Sequence, residues 1–301
     1  MNKLRVVIFV LLAYTLSACA GTASPNAAGS NSPDVLTTTT ILADVTRNIA
    51  GNRLVVEALL PIGSDPHSYQ PTPQDIARLS ESKVLIVNGA EYEHFLEAVL
   101  ENGEGERMLI EASAGLTLRS DSESEQGIDP HLWLDPNNVI GYAESIRDGL
   151  SQSDPEGADT YQAKASTYIE QLTELDTWIH EQVAQIEPER RVLVTNHEAF
   201  GYFAERYGFK VIGTIVQSFS SDASPSAQQM AALIDQISQV EAPAIFLDAS
   251  DNPSLAQQIA AETGVNVVAD LYVESLTNGA PAATYVDMMK HNVTRIVQAL
   301  R

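Results

Sequence analysis

The chain has 301 residues, 44% of them hydrophobic, enough for two lobes with cores of their own. Its formal net charge is −23, from 40 acidic and 17 basic residues, and no basic stripe offsets this field, which excludes nucleic acid as a partner. One cysteine excludes an internal disulfide and any cysteine-based metal site.

Lys3 and Arg5 precede an apolar run, Val6 to Leu16, which is too short for the roughly 20 residues of a membrane-spanning helix. Residues 1–18 therefore read as a cleaved leader. It ends in Leu16-Ser17-Ala18-Cys19, which resembles the lipobox of bacterial lipoproteins and implies a lipid on Cys19. Residues 19–34 are rich in Gly, Ser, Pro, Ala and Asn and cannot bury enough apolar surface to order themselves. As a tether spanning very roughly 20 Å, they would hold the body near a membrane on its extracytoplasmic side.

Strands and helices then alternate, which predicts βαβ units and mostly parallel sheets. Val35 to Thr40, Leu54 to Leu60, Lys83 to Asn88 and Met108 to Glu111 read as strands. Helices are expected over Ile41 to Ala50, from Pro73 behind an N-capping Thr72, over Tyr92 to Leu100, and over Asn137 to Leu150. Leu116 to Ile128 is an acidic loop. From Pro155 to Ile186, Tyr161, Ala165, Tyr168, Leu172, Leu175, Ile179, Val183 and Ile186 recur every three or four residues, the apolar face of one long helix. It is longer than a single lobe needs and reads as a connector. A second set follows, with strands at Arg191 to Thr195, Lys210 to Ile215, Ala244 to Leu247 and Val265 to Leu271. Its helices are Ala199 to Tyr207, Ser226 to Val240, Pro253 to Thr263 closed by Gly264, and Thr284 to Leu300. The expected architecture is α/β: an N-terminal lobe at 35–152, a linking helix at 153–188 and a C-terminal lobe at 189–301.

Two stretches carry chemistry. Asp129-Pro130-His131-Leu132-Trp133-Leu134-Asp135-Pro136 sets an imidazole between two Asp-Pro corners, and Asp65-Pro66-His67-Ser68-Tyr69 repeats the device. A lone histidine near a strand end is usually an ordinary polar residue. Two proline-stiffened turns that each fix one are harder to explain by packing. His67, His131, His197 and Glu274 all lie beyond the carboxyl ends of strands, where open α/β sheets present their ligand crevice. Two come from each lobe, so a site between the lobes is expected. Three imidazoles and a carboxylate suit a borderline-soft divalent ion such as zinc. Asp65, Asp129 and Asp135 are candidates to orient the rings, and Trp133 to wall the site. His94, His180 and His291 fall inside helical patterns and read as ordinary helix residues.

These residues carry a family resemblance. After Cys19 the chain resembles the metal-binding solute-binding lipoproteins of zinc and manganese ABC importers. The matching segments are the two histidine turns with Pro71-Thr72-Pro73, Asn196-His197-Glu198-Ala199-Phe200-Gly201-Tyr202-Phe203, and Leu271-Tyr272-Val273-Glu274-Ser275-Leu276 followed by Tyr285, Met288, Met289 and Asn292. The resemblance implies metal ligands at His67, His131, His197 and Glu274, and a rigid helix that restricts hinge motion. It implies Zn2+ as transported cargo, with Mn2+ as the alternative, permease and ATPase subunits as partners, and a monomer with no enzymatic role. Two departures stand out: the family usually has Asp where this chain has Glu274, and the acidic loop lacks the histidine-rich insert of some zinc members. Histidine at 197 resembles the zinc-type members. The rival readings are a zinc hydrolase, for which no H-E-x-x-H helix is present, and a surface adhesin, suggested only by the lipid anchor.

Overall fold

The computed structural model describes residues 33–96, 107–120 and 127–301. The leader, Cys19, most of the tether, the second half of the helix expected at Tyr92 to Leu100 and the centre of the acidic loop lie outside these residues.

Two four-stranded parallel sheets form two lobes. The first contains β1 (Val35–Thr37), β2 (Val56–Ala58), β3 (Val84–Val87) and β4 (Met108–Glu111), in the order β2-β1-β3-β4. The second contains β5 (Val192–Thr195), β6 (Lys210–Thr214), β7 (Ala244–Asp248) and β8 (Asn266–Leu271), in the order β6-β5-β7-β8. The inner strands β1, β3 and β7 are buried along their whole length, as strands covered on both faces must be.

The helices of the first lobe are α1 (Thr40–Ala50), α2 (Pro73–Glu81) and α3 (Pro136–Ser153). The long α4 (Ala158–Val183) follows, then α5 (Gly201–Tyr207), α6 (Ala227–Val240), α7 (Ser254–Thr263) and α8 (Tyr285–Leu300). Several starts follow the polar residue before them. Thr39, Thr72, Asp135, Ser226 and Thr284 each accept a main-chain N–H of the first turn, satisfying a donor that the helix itself leaves open.

The apolar period in α4 is realised residue by residue. Tyr161, Ala165, Tyr168, Leu172, Leu175, Ile179 and Val183 are all buried. Its 26 residues rise about 39 Å at 1.5 Å each, enough to pack against α1 and α3 of the first lobe and α5 and α8 of the second. The helix is shorter than its pattern: Pro155–Gly157 forms a tighter 3-10 turn ahead of it. Between strand β3 and the undescribed residues only a 3-10 turn, His94–Leu96, is present. The helix expected from Ala199 begins at Gly201, because Glu198 and Ala199 donate their N–H groups to Ser218 O and His197 O, both at 2.9 Å, and so finish a turn first.

The loop that carries His67 is anchored at its far end by α2. Thr72 and Asp75 form a reciprocal capping box, and Tyr69 donates its hydroxyl to Asp75 at 2.7 Å. Thr72→Ala is therefore expected to destabilise the protein by about 1 kcal/mol. Urea denaturation of the metal-free chain measures this; an unchanged midpoint would show that the cap contributes nothing.

Candidate metal centre

Every residue of the site leaves the carboxyl end of a strand. His67 lies in the loop after β2, where Asp65 Oδ1 accepts its main-chain N–H at 2.9 Å and closes a local turn. His131 follows β4. Asp129 Oδ1 accepts the His131 main-chain N–H at 3.0 Å and stands 2.9 Å from ring Nδ1. A carboxylate there selects the tautomer with hydrogen on Nδ1 and turns Nε2 toward the cleft. His197 follows β5, its carbonyl accepting the Thr195 hydroxyl at 2.9 Å. Glu274 follows β8 in a turn held from both sides: Asn292 brackets Tyr272 with bonds of 2.9 and 2.6 Å, and Asp248 accepts the main-chain N–H of Val273.

The four side chains converge. One donor atom from each lies within 4.8 Å of the others. Glu274 Oε1 is 3.3 Å from His131 Nε2, 3.3 Å from His197 Nε2 and 3.9 Å from His67 Nε2. The Nε2 atoms of His131 and His197 are 3.4 Å apart. Tetrahedral zinc with bonds of about 2.0–2.1 Å has donor–donor edges of about 3.4 Å, so three measured edges already fit and His67 stands slightly outside. Two buried atoms, His67 Nε2 and Glu274 Oε1, have no hydrogen-bond partner and face this common point. A buried carboxylate oxygen left in that state is costly unless a cation completes it.

The second oxygen is engaged. Glu274 Oε2 accepts the hydroxyl of Tyr92 at 2.9 Å, so one oxygen faces the imidazoles and the other faces the phenol. The Tyr92 ring packs edge-on against His67 and Trp133, and the Trp133 indole donates to Val273 O at 2.8 Å. Trp133 lies 5.3 Å from the His131 ring, as expected of a wall. Beneath them Glu93 is fully buried, accepting from the Thr38 hydroxyl and from the N–H groups of Asn88 and Gly89; burial pushes its carboxyl up to about 7.

The protonation states are set by these contacts. Burial works against charge on His131, but Asp129 and Glu274 outweigh it and hold the imidazolium up to about 9. His67 is pushed down to about 4, first by burial and then by repulsion from the neighbouring imidazoles. Glu274 is buried too, yet His131 and His197 hold its carboxyl well below the usual range. The raised His131 value means that its imidazolium stabilises the metal-free fold fully below about 6.5, and that this is lost as pH rises through about 9.

Two of the expected ring-orienting groups do something else. Asp135 caps α3 through Asn137 N at 2.9 Å and approaches Arg206, not an imidazole. Asp65 holds the main chain of His67, and its other oxygen accepts from Ser221. His180 and His291 are remote: the first packs edge-on against Tyr207 and the second lies 2.8 Å from Asp270 O. His94 borders a cavity beside His67 and stands outside the four-donor cluster. Tyr92 and Asp248 were not expected at the site, although Tyr92 follows the end of β3 and Asp248 is the last residue of β7, the same signal that marks the histidines.

A two-lobed α/β fold with a cluster of cation-sized spacing between its lobes is an architecture that suits a solute-binding protein. The profile of the zinc-uptake complex component A periplasmic (ZnuA) family matches residues 35–299, and the chain belongs to that family of metal ABC transporter substrate-binding proteins. It is 35% identical to the manganese-binding lipoprotein MntA of Halalkalibacterium halodurans, over 97% of both chains. It is 32% identical to the iron-binding protein YfeA of Yersinia pestis, over 95% of this chain and 94% of that one. The periplasmic zinc-binding protein TroA of Treponema pallidum superposes with a TM-score of 0.84 at 30% identity, covering 89% of this chain and 99% of that one. Three relatives thus carry three metals in their names, and similarity alone does not select among them.

Removing the Asp129 charge tests the electrostatics directly. In Asp129→Asn the burial of His131 persists while its main anionic partner is lost, so its pKa falls from about 9 toward or below 6.5. NMR titration of the metal-free protein reads this; an unmoved imidazole would contradict the pairing.

Proposed function

We propose that this chain captures Zn2+ outside the cytoplasm through His67, His131, His197 and Glu274 and delivers it to a membrane permease driven by an ATPase subunit. The observation that carries this reading is the convergence of His67 Nε2 and Glu274 Oε1, both buried and without a hydrogen bond, on a point shared with two further imidazole nitrogens. Zinc is favoured over manganese because three nitrogens and one free oxygen make a four-cornered set, whereas hard cations such as Mn2+ favour more oxygen. Manganese is the second reading, favoured by the name of the 35% identical relative; it calls for Glu274 Oε2 to leave Tyr92 and become a fifth donor. The hydrolase reading is set aside, since Glu274 sits among the donors rather than apart from them as a base.

In this reading the lobes are residues 35–152 and 189–301, and the segment 153–188 that joins them limits their rotation. Cys19 carries lipid that anchors the protein to the membrane. Among the described residues no helix is long and apolar enough to cross a membrane. Intact-mass measurement of membrane-extracted protein should give a mature chain that begins at a diacylated Cys19; a chain without lipid would refute the anchor.

Calorimetry tests the cargo. The unaltered chain should bind Zn2+ more tightly than Mn2+, and His67→Ala or His197→Ala should weaken Zn2+ by orders of magnitude. Because the cation must displace the His131 proton, affinity should fall as pH drops below about 9, with nearly one proton released per ion at pH 7. Preferential Mn2+ binding would exchange the two metal readings, and unchanged affinity in both histidine variants would overturn the site.

A further inference from the structure

His67 marks the side on which the site meets solvent. Its side chain is 10% exposed, against 0% for His131, 4% for His197 and 3% for Glu274. A cavity of about 120 Å³ adjoins it, lined by Tyr92 and His94 from the first lobe and by Ser218, Phe219 and Ser220 from the second. Those three serine and phenylalanine positions belong to residues 215–226, which connect β6 to α6 without regular secondary structure.

Two of this connection's ties bear on the site. At its base Ser218 O accepts the main-chain N–H of Glu198 at 2.9 Å, next to His197. At its apex Ser221 Oγ reaches across the cleft and donates to Asp65 Oδ2 at 2.6 Å, a bond between residues 156 positions apart. The other Asp65 oxygen accepts the His67 main-chain N–H at 2.9 Å. One carboxylate therefore holds both the backbone of the most exposed imidazole and the segment that covers it from the opposite lobe. The loop of His67 has another tie to the second lobe, Gly63 N–H to Ser275 Oγ at 2.9 Å, but that one lies beside Glu274, away from the cover.

We infer that Ser221 is a gating residue: its hydrogen bond to Asp65 keeps the β6–α6 segment closed over the path beside His67, and the cation departs when that bond opens. Ser221 is not a donor to the cation; it acts through Asp65. The inference rests on the cargo reading, because it concerns how a bound cation leaves. A hydroxyl on a carboxylate is a charge-assisted bond, and its loss corresponds to a change of about ten-fold or more in the population of the open form.

Stopped-flow mixing of the zinc-loaded full chain with excess chelator reads the dissociation rate. Ser221→Ala should release Zn2+ about ten-fold faster, and Ser221→Thr, which keeps the hydroxyl, should stay near the unaltered rate. Thermal stability of the metal-free chain should fall by only a few degrees in Ser221→Ala, as expected for the loss of one bond, and stay near the unaltered value in Ser221→Thr. Asp65→Ala should accelerate release at least as much, and adding Ser221→Ala to it should have no further effect. Equal rates in Ser221→Ala and the unaltered chain, or additive effects of the two changes, would overturn the gate while leaving Zn2+ capture standing. Failure of the unaltered chain to bind Zn2+ at all would overturn the cargo reading and the gate with it.

Discussion

A carboxylate buried between two lobes is the constraint around which this protein is arranged. Taking Glu274 out of water costs several kcal/mol unless its charge is met. In the metal-free protein it is met by the Tyr92 hydroxyl on one oxygen and by the imidazole of His131, held protonated by Asp129, near the other. These partners come from the first lobe, whereas Glu274 belongs to the second. The charge thus draws the lobes together before any cation arrives, and the same geometry leaves Glu274 Oε1 facing three imidazole nitrogens. In the proposed reading, a divalent cation would replace the His131 proton with a stronger counter-charge and give His67 Nε2 the partner it lacks.

The repeated strand order makes this possible. Each sheet is parallel and each has its first strand inside, so every loop at the carboxyl end of a strand opens toward the same crevice. β2 and β4 deliver His67 and His131; β5 and β8 deliver His197 and Glu274. With α4 packed along helices of both lobes, opening the crevice means bending or shearing a buried apolar face that runs from Tyr161 to Val183. Local opening of a loop disturbs far less. The bond from Ser221 to Asp65 stands on that cheaper route.

The four converging side chains were legible in the sequence because each follows a recognisable strand, and because Asp-Pro turns announce two of them. The long helix was legible because a 3.6-residue period sustained over eight positions has few other readings, although the helix ends at Val183, before the last of them. What stayed hidden depends on pairing across the lobes. Tyr92 and Glu274 lie 182 positions apart, and Ser221 and Asp65 156 apart; no local pattern marks either pair. Asp135 was misread for a related reason. Next to a histidine turn it looks like a ring partner, but it is also the residue before Pro136, and an Asp followed by Pro at a helix start is an N-cap first.

The choice of metal turns on the oxygen that does not face the imidazoles. Tyr92 holds Glu274 Oε2, so the carboxylate presents one donor and the set has four corners. An ion that requires more oxygen must break a hydrogen bond to a charged group, which is worth about 1.5–3 kcal/mol, before it gains a fifth donor. An ion content with four corners meets no such cost. Intrinsic affinities rise from manganese toward copper whatever the site, so discrimination has to come from geometry of this kind. Glu274 is long enough for one carboxylate to reach the imidazoles with one oxygen and the phenol with the other. Its length thereby works toward fewer donors rather than more.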